Sequence, residues 1–253
     1  WKIPLVLLEQ NAIPGRVTRW LASRAQRVCA ALGEAQDWLR VAPERFVVTG
    51  NPLRASFAEL ARCESDTPRR RRLVVLGGSR GSADLNRVVP EALARLKGPL
   101  DDWQIVHQTG HAALIETRSR YAATGRWAWL QPFFANIAEL LASADLVVCR
   151  GGGTTLSELA ALGVPAIVVP YPHAADDHQL HNARAYASRG ACRIVDFRTV
   201  GLPAAALACE LADLAMNSQA REELAAGMRS LARPCAAADV AGLVLDEVRC
   251  IST

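Results

Sequence analysis

The sequence predicts an α/β fold: a doubly wound, Rossmann-like parallel sheet with the remnant of a second Rossmann-like domain ahead of it. Three observations predict it. From Leu73 onward, short continuous apolar runs alternate with stretches of helical periodicity, the pattern of parallel strands covered by helices on both faces. Two of the strand-to-helix junctions are rich in glycine, at Gly77-Gly78-Ser79-Arg80-Gly81 and at Arg150-Gly151-Gly152-Gly153-Thr154. The opening segment, up to Thr49, carries three short strand patterns with too little helix to cover them.

In that opening segment, residues 3–8, 27–30 and 46–49 read as strands, with a helix over 15–25. Residues 1–52 form the far end of a first domain. Asn51-Pro52 breaks the pattern, and residues 61–72 are polar, with Pro68 and five arginines. These features predict a linker over 53–72, with Arg69 to Arg72 a solvated run. The main sheet domain covers 73–218, with strands at 73–76, 104–107, 127–130, 146–149, 166–169 and 192–195. Helical patterns fill 83–96, 112–122, 136–143, 154–162 and 176–188, and Gly163 with Pro165 beyond it stops the fourth. The tail from Pro203 is helical throughout, divided by Pro234, and residues 219–253 are expected to pack back on the first domain.

The 253 residues are 51% apolar and 21% charged, an ordinary globular balance with chain enough for a large core. A formal charge of +4, concentrated only at Arg69 to Arg72, builds no nucleic-acid face, and no nucleic-acid partner is expected. Seven cysteines with no CxxC pair fit buried thiols in a reducing cytoplasm better than a disulfide or zinc scaffold. No apolar run approaches the roughly 20 residues of a spanning helix, so any membrane contact is expected to be peripheral. The chain opens at Trp1 and enters an apolar run at once. It is therefore read as a fragment whose upstream residues cover this strand.

Glycine at the two junctions lets a ligand approach bare backbone. The helix start behind each supplies partial positive charge worth about 0.3–1 kcal/mol toward an anion. Tight turns also need glycine for packing alone, but two in one sheet tip the reading to a diphosphate site. Neither turn is GxGxxG, and neither ends in Gly-Lys-Ser/Thr.

Glu158 follows Thr155 at the spacing of a capping box. From pattern alone, that role and acceptance of two ribose hydroxyls stand level. Asp176 and Gln179 fit a second capping box. The loop before them is stiffened by Pro170 and Pro172 and follows the carboxyl end of a strand, where parallel sheets bind ligands. Gln179 and His178 are thus candidates for sugar hydroxyls. His107 with His111, and His178 with His181, lack the carboxylate or cysteine that would complete a metal set, so no metal is expected. No GxSxG supports a hydrolase.

In order along the chain stand Glu9-Gln10-Asn11 with Pro14-Gly15, Thr49-Gly50-Asn51-Pro52-Leu53-Arg54, the first glycine turn, Asn86, and His107-Gln108-Thr109-Gly110. Pro132-Phe133, Ala144-Asp145-Leu146 and the run from Arg150 to Asn182-Ala183 follow. In these phrases the chain resembles the MurG family, glycosyltransferases of family 28 with the two-domain GT-B fold, over nearly its whole length. The resemblance implies inverting transfer of N-acetylglucosamine from UDP-GlcNAc to lipid I (undecaprenyl-pyrophosphoryl-MurNAc-pentapeptide). The product is lipid II for peptidoglycan, made at the inner, cytoplasmic face of the cell membrane without a cofactor. It implies that Arg54 and Ser79 meet the diphosphate together with the backbone of Gly152 and Gly153. Phe133 and the backbone of Phe134 then hold the uracil, Glu158 the ribose, and His178 and Gln179 the GlcNAc hydroxyls, while Asn11 approaches the sugar from the first domain.

Three departures accompany the likeness. Leu8 stands where the family has histidine. Arg150-Gly151-Gly152-Gly153 replaces the family's arginine-x-glycine-alanine, which is expected to loosen the loop. The family's opening glycine-rich turn with its histidine, which the resemblance assigns to acceptor pyrophosphate and to the general base, is absent from the sequence. The chain is accordingly expected to bind donor with little turnover. The competing readings are another GT-B enzyme of UDP-sugars, either a lipid glycosyltransferase or an epimerase, and an inactive nucleotide-sugar-binding fragment.

Overall fold

A computed structural model of the chain describes residues 3–60 and 71–249. The opening segment forms β1 (Val6–Glu9), α1 (Arg16–Leu21), β2 (Arg27–Ala30) and β3 (Phe46–Val48), joined into a parallel three-stranded sheet in the order β1-β2-β3. β1 begins later than residue 3 because its ladder with β2 starts at Val6↔Arg27. Ahead of it Ile3 is exposed and Pro4 has no N–H to give a ladder.

The second sheet is all parallel: β4 (Arg72–Leu76), β5 (Gln104–Gln108), β6 (Trp129–Gln131), β7 (Leu146–Cys149), β8 (Ala166–Val168) and β9 (Cys192–Ile194), in the order β6-β5-β4-β7-β8-β9. Its strands alternate sides, as extended backbone requires. Val74, Leu76, Val147, Cys149, Ala166 and Val168 feed one core. Leu73, Val75, Leu146, Val148, Ile167 and Val169 feed the other. α3 (Ala83–Ala94), α4 (Leu114–Ala123) and α8 (Pro203–Met216) cover the second face, while α5 (Ile137–Ala142), α6 (Gly153–Leu162), α7 (His178–Ala187) and α9 (Ser218–Ser230) cover the first. Ala12 and Leu32, from the opening segment, belong to that first core as well.

The structure corrects the sequence reading in four places. The stretch after Pro52 is not open linker: it contains α2 (Ala55–Leu60), whose fully buried Phe57 packs into the first core beside α5 and α6. The expected run of solvated arginines lies partly outside the described residues. Of the rest, Arg72 opens β4 and bonds Gln104 Oε1 at 2.9 Å, while Arg71 pairs with Asp102 at 2.6 Å and covers the Trp103 ring. The strand expected at 127–130 sits later, because its pairing with β5 starts at Val106↔Trp129 and leaves Trp127 in solvent. The helical tail breaks once more than Pro234 requires. Asn217 ends α8, and its Oδ1 accepts from the Ala220 N–H at 2.9 Å to cap α9. The last helix, α10 (Ala236–Arg249), reaches the first sheet through an ion pair of Glu247 with Arg27 at 2.7 Å, whereas α9 lies against α6.

His107, one of the histidines weighed for metal, is wholly buried in β5, with Nδ1 2.9 Å from the Tyr121 hydroxyl. Burial disfavours its charged form and lowers its pKa from 6.5 to about 3. Between those values the unfolded chain binds a proton that the folded one refuses, so stability falls as pH drops from 6.5 toward 3. In His107→Gln, which keeps a partner for Tyr121 without titrating, the slope of unfolding free energy against pH is expected to be shallower by up to about 1.4 kcal/mol per pH unit. Urea titrations of both proteins from pH 7 to pH 4.5 measure it, and identical slopes would refute the assignment.

Candidate functional site

β4 lies at the middle of the sheet. The chain builds outward from it through β5 and β6 on one side, then returns to its other edge with β7 and continues through β8 and β9. The reversal falls between β4 and β7, whose last paired residues are Leu76↔Cys149. Both glycine turns therefore leave the sheet side by side, at the carboxyl ends where open α/β sheets hold their ligands. A cleft of about 350 Å³ opens there.

The first turn uses its glycines for distinct reasons. Gly78 takes a φ of +80° with open space beside it, and its carbonyl accepts from Gln108 Nε2 at 2.8 Å. Gly81 takes a φ of +77° against the Thr109 carbonyl, which a Cβ would approach to 2.1 Å. In the second turn, a Cβ on Gly151 would lie 2.2 Å from the Gln179 carbonyl, and one on Gly153 equally close to that of Gln10. This loop is tightly packed rather than loosened. Only Gly152 of the three lines the cleft, and a Cβ there would meet nothing nearer than Thr155 Oγ1 at 3.9 Å.

Of the residues proposed from sequence, Arg54, Phe133, Phe134, Gly152, Glu158 and Gln179 all line the cleft. Ser79 is exposed on the turn directly after Gly78. His178 starts α7, with Nδ1 2.8 Å from the Ala175 carbonyl. Asn11 and Gly153 meet at the seam between the two sheets. There Asn11 Nδ2 donates to Glu9 Oε1 at 3.1 Å, and Asn11 Oδ1 accepts from Asn182 at 2.9 Å.

Neither capping box forms. Gly152 is the N-cap of α6, which puts Thr155 inside the helix, and no side chain caps it. Glu158 is left facing the cleft, its carboxylate 3.3 Å from Arg54. Burial pushes its pKa up, and the hydrogen bond and charge of Arg54 offset part of that rise. At the start of α7, Asp176 and Asp177 both take φ of 52°, so neither caps the helix. They form ion pairs instead, Asp176 with Arg19 of α1 and Asp177 with Arg198 at 2.7 Å. Gln179 Oε1 accepts from the Tyr171 N–H at 3.0 Å and fixes the loop before the helix.

Three further residues, to which the sequence pattern gives no role, shape the cleft. Arg150 spans its mouth, donating to Ser82 Oγ at 3.1 Å, Asp84 at 2.7 Å and the Pro170 carbonyl at 3.1 Å. Its guanidinium also lies over the Tyr171 ring. Gln108 holds the first turn, and Asn182 holds the second by donating to the Gly151 carbonyl at 3.0 Å. Polar residues just past an apolar strand, or on the buried face of the next helix, are the signal that marks them. Among the described residues no three His, Cys, Asp or Glu side chains gather into a metal site.

A parallel sheet whose switch point opens between two glycine turns, each leading into a helix N-terminus, is an α/β domain of the Rossmann type. Residues 72–237 match the glycosyltransferase family 28 C-terminal domain. Curated relatives are UDP-N-acetylglucosamine–N-acetylmuramyl-(pentapeptide) pyrophosphoryl-undecaprenol N-acetylglucosamine transferases. That of Pseudomonas fluorescens is 41% identical over 96% of this chain, and that of Methylococcus capsulatus 43% over 97%; each match covers 67% of the relative. The crystal structure of Acinetobacter baumannii MurG superposes with a TM-score of 0.79 at 32% identity, over 97% of this chain and 68% of that one. A UDP-N-acetylglucosamine 2-epimerase of Listeria monocytogenes shares the fold alone, with a TM-score of 0.67 at 16% identity over 94% of this chain and 64% of that one. The chain belongs to glycosyltransferase family 28, and it spans about two thirds of the length of these transferases.

The glycines of the first turn give a direct check on its geometry. Gly78→Ala, strained in φ but unobstructed, is expected to cost about 1 kcal/mol of stability. Gly81→Ala adds a clash with fixed backbone and is expected to cost about 2–4 kcal/mol. Chemical denaturation compares them, and equal losses would contradict the close approach of Gly81 to Thr109.

Proposed function

We propose that the cleft binds UDP-GlcNAc and that the chain serves transfer of its N-acetylglucosamine to lipid I, yielding lipid II with inversion. The observation that carries the reading is the adjacency of the two glycine turns at the switch point, with Glu158 buried in the cleft wall beside Arg54. The diphosphate lies across the turns, met by Arg54, Ser79 and the amides of Gly152 and Gly153, where the N-terminus of α6 favours negative charge. Phe133 and the backbone of Phe134 take the uracil. Glu158 accepts the two ribose hydroxyls, His178 and Gln179 meet the GlcNAc hydroxyls, and Asn11 faces the sugar from the first segment.

The chemistry follows from these roles. As the sugar–phosphate bond breaks, charge collects on the departing UDP. Amides and a guanidinium already aimed at that position stabilise it without reorganising. A base must take the proton of the acceptor hydroxyl, and that role is assigned to no residue of this chain. No cofactor is required.

Calorimetric titration of the folded chain with UDP-GlcNAc tests the reading. A heat of binding is expected, weakened about 10- to 100-fold by Glu158→Ala through loss of two hydrogen bonds to a charged acceptor. Absence of binding heat from a folded sample would refute the donor site.

The acceptor reading further proposes a peripheral contact with the cytoplasmic membrane surface. No helix among the described residues is long and apolar enough to cross a membrane. On α1 and just beyond it, however, Val17 and Trp20 are 67% and 68% exposed, next to Arg16 and to Arg24, whose guanidinium lies 5.4 Å from the Trp20 ring. An exposed indole among arginines suits the headgroup layer of an anionic bilayer. Trp20→Ser is expected to reduce co-sedimentation with phosphatidylglycerol vesicles several-fold. Unchanged sedimentation of the variant would remove α1 from the contact.

A further inference from the structure

We propose that Asn182 is a positioning residue that aims the Gly152 amide at the donor diphosphate; the proposal rests on the donor reading above. Asn182 is wholly buried on α7, behind the second glycine turn and outside the cleft lining. Its Oδ1 accepts from the Ala12 N–H at 2.7 Å, and its Nδ2 donates to Asn11 Oδ1 at 2.9 Å and to the Gly151 carbonyl at 3.0 Å. Only one orientation of the amide satisfies this set. Flipped, it would set an oxygen against two oxygens and an NH2 against an N–H.

Peptide planarity carries the effect across the turn. In a trans peptide the C=O and the following N–H point in opposite directions. Pinning the Gly151 oxygen on Asn182 therefore turns the Gly152 N–H away from the protein interior. Gly152 lines the cleft, and its N–H has no acceptor among the described residues. The peptide plane between two glycines rotates more readily than any other, so the clamp supplies an order that the turn lacks by itself. The clamp is in turn held from the first segment, because Glu9 Oε1 accepts from both the N–H and the Nδ2 of Asn11 at 3.0 and 3.1 Å.

Asn182→Ala removes the clamp, and Asn182→Asp keeps size and the Ala12 bond while losing both donations. In ligand-free, 15N-labelled protein either variant is expected to shift the Gly152 amide resonance and leave those of Gly77 and Gly78 in place. Affinity for UDP, followed by NMR titration, is expected to fall about tenfold, with affinity for uridine changed less than twofold. Should the alanine variant not fold, the aspartate variant carries the same readouts. A Gly152 resonance that stays put in a folded variant overturns the proposal, whether or not the protein binds nucleotide. Equal losses for UDP and uridine also overturn it, since they assign Asn182 a general packing role. Failure of the unsubstituted protein to bind UDP counts against the donor reading alone, and the Gly152 resonance still decides the clamp.

Discussion

The pairing of β4 with β7 is the constraint on which the site depends. These strands lie far apart in sequence, yet their ladder runs from Leu73↔Leu146 to Leu76↔Cys149 with every residue buried. Register in a sheet covered on both faces is strictly held, because a slip of one residue would exchange the two cores. The end of the ladder therefore fixes where both glycine turns begin. Neither turn needs its own means of finding the other. The apolar cores hold the strands, the strands hold the turns, and the turns present their amides together.

A second constraint ties the opening segment to this sheet. Ala12, Leu32 and Phe57 share a core with the main sheet. Around that apolar contact run polar ties: Glu9 to Asn11 to Asn182, Arg19 to Asp176, and Glu34 to Arg189 at 2.6 Å. The exposed ion pairs contribute little, on the order of 0–1 kcal/mol each. The buried amide network matters more for geometry, since each member left without a partner would cost about 1–3 kcal/mol. The loop at Glu9 thus sets the shape of a turn that belongs to the other sheet.

Strand and helix types were legible because both cores take alternate residues of continuous apolar runs, as at 73–76 and 146–149, and because Gly163 ends its helix in the left-handed region. The capping spacings at Thr155 and Asp176 form no side-chain caps, for a physical reason. A helix starts where the backbone of the preceding turn permits, and Gly152 lets α6 begin before Thr155. α2 was hidden because a single turn and a half of helix, with Phe57 and Leu60 as its large apolar residues, is too short to show a periodicity. At Gln108, Asn182 and Arg150 the sequence shows a polar residue at a strand end or on a buried helix face but not what it holds, because each grips a main-chain carbonyl, which leaves no mark in a sequence.

Glu158 shows how such a site holds a cost in reserve for its ligand. Burial disfavours its charge more than Arg54 favours it, because the guanidinium is largely exposed and water screens the pair. Arg54 is also engaged over the Phe57 ring, 5.2 Å from its centroid, which limits how closely it can follow the carboxylate. Under the donor reading, a ribose diol brings two neutral donors to Glu158 and satisfies the carboxylate without adding charge. The guanidinium is then released from its only carboxylate partner among the described residues and can meet the diphosphate. One exchange of partners would thus relieve the buried acid and deliver the cation, and it requires both halves of the nucleotide at once. A phosphate without the ribose, or a nucleoside without the phosphate, makes only half of that exchange.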